Sequence, residues 1–85
     1  MQYEKDICVI YSKFLASELK IYVGEFEENG SHTSFAWFAT DPDDCLTQLK
    51  QEHPKGIVIV LFEDYEHPLA LDLIEFCATL YEANS

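Results

Sequence analysis

In 85 residues this chain sets sixteen aspartates and glutamates against five lysines and no arginine, a net charge of −11. That length supports one core and therefore one domain, residues 1–85. A hydrophobic content of 48% excludes a disordered acidic tail, so the charge must lie on the outside of a folded body. There it creates a strong negative field, and self-repulsion should make stability rise with salt.

Tyr3, Ile7, Ile10, Tyr11, Phe14 and Leu15 recur at steps of three and four, which predicts a helix over residues 3–17. The apolar run Ile7 to Tyr11 also suits a buried strand. Residues 19–28 and 31–40 read as a β-hairpin, because Asn29-Gly30 tolerates the positive φ of a two-residue turn. That turn sets the register: Glu28 opposite Ser31, Phe26 opposite Thr33, Gly24 opposite Phe35 and Tyr22 opposite Trp37. Alternation puts Tyr22, Phe26, Phe35 and Trp37 on one face, and Leu19, Ile21, Val23, Ala36 and Phe38 on the other. Gly24 leaves bare backbone for the Phe35 ring to cover.

A second helix is expected over residues 42–53. Asp41 is a good N-cap, Pro42 suits the first helical position, and Asp43 and Asp44 complement the helix dipole. Cys45, Leu46 and Leu49 form its apolar stripe, and His53-Pro54 ends it. The run Ile57 to Phe62 is short, β-branched and continuously apolar, which predicts a strand buried on both faces and central in its sheet. After a loop at Glu63 to Glu66, Pro68 opens a last helix to about Ala83, with Leu69, Leu73, Cys77, Leu80 and Tyr81 on its buried face. The order α-β-β-α-β-α predicts an α+β fold with a small, three-stranded, mainly antiparallel sheet. The crossover from the second strand to the third should be right-handed. Helices on both sheet faces would cover the aromatic side of the hairpin; helices on one face would expose it.

Cys8, Cys45 and Cys77 are odd in number, widely spaced and set in apolar stretches, as buried free thiols are. The N-terminus MQYEKDI lacks the basic and apolar regions of a secretory signal, and Ile57 to Phe62 is too short to span a bilayer. A reduced, cytoplasmic protein is expected. Its charge argues against direct binding of nucleic acid or anionic membrane.

The acids form three clusters: Glu25, Glu27 and Glu28; Asp41, Asp43 and Asp44; Glu63, Asp64 and Glu66. On a strand rising about 3.3 Å per residue, Glu25 and Glu27 share a face about 6.6 Å apart. Two base steps along one DNA strand span about 6.8 Å, so such a ladder can imitate a phosphate track. An ordinary solvated surface, or an acid-shifted host proteome, gives the same charge without a partner. Neither Asp cluster carries the calcium-loop pattern, and His32, His53 and His67 stand at no zinc-ligand spacing. No serine lies in a GxSxG context, and no glycine-rich phosphate loop occurs. Cys45 lies near a helix N-terminus, but Asp43 and Asp44 oppose a lowered thiol pKa. No cofactor, metal or catalytic residue is therefore assigned.

Together these features predict a non-catalytic binding protein that covers a basic surface of a nucleic-acid-handling protein. DNA mimics, phage-encoded anti-defence inhibitors and nuclease immunity proteins are small and acidic in this way, a likeness of size and charge only. The residues expected to carry binding are the nine acids of the three clusters, with Tyr22 and Trp37 as aromatic anchors. The alternative is an interaction or homodimerisation module that uses the aromatic hairpin face or pairs edge to edge.

Overall fold

A computed structural model describes residues 2–84, with side chains from Lys5 to Asn84. Six elements follow in the order expected: α1 (Gln2–Leu15), β1 (Lys20–Glu28), β2 (Ser31–Ala39), α2 (Pro42–Glu52), β3 (Ile57–Glu63) and α3 (Pro68–Ala83). The three strands form one antiparallel sheet in the order β2-β1-β3. The fold is α+β. The side chain of Tyr3, expected on the buried face of the first helix, lies outside the described residues.

Local chemistry sets the boundaries. Helix α1 ends where Ser17 adopts a left-handed φ of 63°. There the Glu18 N–H donates to the Lys13 carbonyl and the Ser17 N–H to the Phe14 carbonyl, a Schellman closure with serine in the place glycine usually takes. Asn29 and Gly30 both have positive φ, 54° and 81°, so the hairpin closes on the two-residue turn its sequence predicts. Register follows as expected, with Glu28 opposite Ser31, Phe26 opposite Thr33, Gly24 opposite Phe35 and Tyr22 opposite Trp37. Asp41 caps α2 by accepting from the Asp44 N–H at 2.8 Å, and Pro42 occupies its first turn. Pro68 opens α3, whose N-cap is His67: its ring nitrogen accepts from the Leu69 N–H at 3.1 Å.

Helices cover both faces of the sheet. On one side α1 and α3 bury Ile7, Tyr11, Ala70 and Cys77 against Ile21, Val23 and Phe38. The Phe38 ring packs at a tilt against Phe14 and Trp37, with centroids 5.0 and 5.8 Å away. Burying such a ring contributes roughly 1.5–3 kcal/mol. On the other side α2 lays Cys45 over Tyr22 and Ala39, with Phe35 and Leu61 packed around them. Gly24 is required at the centre of this layer. A methyl there would collide with the Val60 carbonyl oxygen and come within 3.0 Å of the Phe35 ring, so that ring does cover bare backbone.

One expectation is overturned. The strand Ile57 to Glu63 is not central; β1 is, and β3 forms an edge. The hairpin explains why. A two-residue turn keeps β1 and β2 adjacent, so a third strand can join only on the outside. Ile57, Ile59, Val60 and Phe62 are accordingly exposed, at 68%, 51%, 44% and 41%. Only Val58 and Leu61 are half-buried, on the face that α2 covers. Two further apolar assignments fail: Leu15 and Leu46 face solvent, while Ala70, unmarked by its small side chain, is fully buried.

Candidate functional site

Strand direction sorts the nine predicted acids into two groups. Residue Glu63 pairs with Tyr22 and Ala39 pairs with Lys20, so β2 and β3 end at the same end of the sheet. The loops that follow therefore bring Asp41, Asp43 and Asp44 to the same end as Glu63, Asp64 and Glu66. The two strands stand one strand apart, about 10 Å from axis to axis. Tyr22, 2% exposed, reads this convergence: its phenol pKa is raised by burial first, then by the charges of Glu63 and Asp41. Glu25, Glu27 and Glu28 lie at the hairpin tip. Glu27 is five residues along β1 from Tyr22, roughly 17 Å away.

Several of these carboxylates have local work. Asp44 accepts from the Thr40 N–H at 2.9 Å and from its hydroxyl at 3.3 Å, and Asp41 caps α2. Asp64 accepts from the N–H groups of Glu66 and His67 at 2.9 and 3.2 Å, which shapes the entry to α3. Glu63 accepts from the Tyr65 hydroxyl at 2.5 Å. The carboxylates of Asp43 and Glu66 have no hydrogen-bond or ionic partner among the described residues. The base of the sheet presents all six, three where β2 passes into α2 and three where β3 passes toward α3.

The tip group differs. Glu25 and Glu27 share a face, as expected, but His32 lies against both, its Nδ1 at 3.0 Å from Glu25 and its Nε2 at 3.7 Å from Glu27. His53 stands 3.2 Å from Glu28. Each of these contacts joins a histidine to a glutamate. The His32 contact was readable from the register, since Glu27 faces His32 and Glu25 is its diagonal neighbour. The His53 contact joins residues 25 apart and carries no local signal.

The predicted aromatic anchors are held by α2. Tyr22 and Phe26 are buried in the sheet face beneath the helix and Trp37 is half-buried. The Trp37 indole N–H donates to Gln48 Oε1 at 2.9 Å, and Gln48 Nε2 donates to the Phe38 carbonyl at 3.2 Å. Tyr22, offered above as a contact residue, thus belongs to the core.

Two of the three thiols lie in the core. The thiol pKa of Cys45 is raised by burial and then by Asp44, and that of Cys77 by burial and then by Cys8, so both stay protonated near neutrality. No group of three or more His, Cys, Asp or Glu side chains is placed to hold a metal ion among the described residues. No helix there is long and apolar enough to cross a membrane. Compared with protein-family models, curated proteins and solved structures, the chain matches none.

Proposed function

We propose that the protein is a non-catalytic acidic binder that covers a basic surface of a nucleic-acid-handling protein. The convergence of Asp41, Asp43, Asp44, Glu63, Asp64 and Glu66 at one end of the sheet carries this reading. Among the described residues none of the six is neutralised by a lysine, and the carboxylates of Asp43 and Glu66 have no partner. The six acids supply long-range attraction, and Asp43 and Glu66 supply free acceptors for lysine or arginine donors. The tip acids play a smaller part, because His32 and His53 already occupy them. DNA mimicry, an anti-defence role and a cytoplasmic setting belong to this same proposal.

Such binding weakens as salt screens the charges. The test is capture by the tagged full chain at low salt, with release by salt and by added DNA or RNA. A nucleic-acid-binding protein should be retained, and Asp43→Lys with Glu66→Lys should lose it. Glu25→Lys with Glu27→Lys should reduce retention less. Retention that ignores salt, nucleic acid and the Asp43/Glu66 pair would contradict the reading.

A further inference from the structure

We infer that β3 is a self-association edge, where two copies of this chain pair strand to strand into a six-stranded sheet. The inference does not depend on the function proposed above. A strand at a sheet edge leaves half its backbone N–H and C=O groups without strand partners, and soluble proteins normally blunt such edges with charge, proline, a bulge or cover; here the one such device is a bulge at Ile59, which leaves Val60 to Glu63 regular. The stretch Ile57 to Phe62 has no charge, no proline and no glycine. Helix α2 lies over Val58 and Leu61 on one face only. The opposite strand, β2, is flanked by both α1 and α2, with Ile7, Ile10, Leu49 and Trp37 lining the groove along it.

The occupant is a second copy because the strand is complementary to itself. Pairing with β1 is regular from Glu63 to Val60 and shifts only beyond, where Ile59 is the extra residue of a bulge. Val60 and Phe62 share one face. A two-fold axis through Leu61 sets Val60 of each copy opposite Phe62 of the other, joining their exposed apolar surfaces into one patch. Glu63 then falls beside the partner's Ile59, so no carboxylate opposes a carboxylate. Two copies that each carry a net charge of −11 repel one another, and the uncharged stretch Ile57 to Phe62 adds nothing to that repulsion. At this neutral edge two such bodies can approach and also gain strand hydrogen bonds, and an isologous contact of this kind closes at two copies.

Salt separates this association from capture of a basic partner. Screening weakens the repulsion between two acidic bodies, so the dimer tightens with salt while a basic partner is released. The test is sedimentation of the full chain from micromolar to several hundred micromolar, at low and high salt. The expected result is a reversible shift from 9.8 kDa to twice that mass, stronger at high salt. Val60→Glu and Phe62→Glu should each raise the dimer dissociation constant at least roughly tenfold, because each sets a carboxylate against an apolar side chain. Phe76→Glu, on the exposed side of α3, should leave it unchanged. Amide shifts of the unaltered protein on dilution should concentrate in Ile57–Glu63. A monomer at every concentration overturns the inference and leaves the edge to a strand of another protein. A dimer that ignores both β3 variants, is broken by Phe76→Glu, or shifts amides away from β3 also overturns it.

Discussion

The two outer strands of the sheet flank the same partner and meet different surroundings. β2 begins polar, with Ser31 to Ser34 exposed, and ends buried at Phe38 and Ala39 between helices on both faces. β3 is apolar from Ile57 to Phe62 yet exposes most of it. An unbroken apolar strand therefore does not measure burial in this fold. It measures surface from which water is to be excluded, whether by the chain's own helices or by another molecule.

The sharpest way to break this comparison is to cut the same ring from each strand. Phe38→Ala removes a side chain 2% exposed and should cost about 3–5 kcal/mol in urea unfolding. Phe62→Ala, at 41% exposure, should cost the isolated chain about 1 kcal/mol or less. Equal losses would mean that β3 is as covered as β2. Next comes the spacing that seats β3 on β1. Gly24→Ala drives a methyl into the Val60 carbonyl and should destabilise by about 1–3 kcal/mol, with exchange of the β3 amides accelerated more than that of β2. A smaller effect is expected where α2 is tied to β2: Gln48→Ala, which leaves the Trp37 N–H without its acceptor, should cost about 1 kcal/mol and shift the emission of the single tryptophan.

The smallest prediction concerns Tyr65, just beyond β3. The residue is 41% exposed, yet partial desolvation of the hydroxyl, and then its hydrogen bond to Glu63, push its pKa from 10.0 up to about 12. The folded chain thus favours the neutral phenol. This contribution is fully present below about pH 10 and is lost as pH rises toward about 12, where the unfolded chain has already ionised. Tyr65→Phe should remove that late phenolate step from the absorbance titration and flatten the alkaline loss of stability.

Much of the fold was legible because local chemistry decided it. Asn29-Gly30 determined both turn and register, Asp41-Pro42 the start of α2, and Pro68 the start of α3. The place of β3 was legible too, but only by combining two signals: a tight β1–β2 turn forbids any strand between them, whatever the hydrophobicity of the third. Reading the run Ile57 to Phe62 alone favoured the centre. The site was legible in part. The acids could be counted and clustered, and the register placed His32 against Glu25 and Glu27. That Asp41 to Asp44 and Glu63 to Glu66 share one end depends on strand direction, and the Glu28–His53 contact depends on tertiary packing. Leu46 on α2 faces solvent and Ala70 on α3 is buried for a related reason: side-chain size says little about which arc of a helix meets the sheet.

The most direct measurement is amide hydrogen exchange along the three strands, read residue by residue in dilute and in concentrated solution. The account predicts that in dilute protein β1 is protected throughout while alternate amides of Ile57–Glu63 exchange freely, and that concentration slows those amides alone. Protection of β3 equal to that of β1 in dilute solution, or no change with concentration, would contradict it.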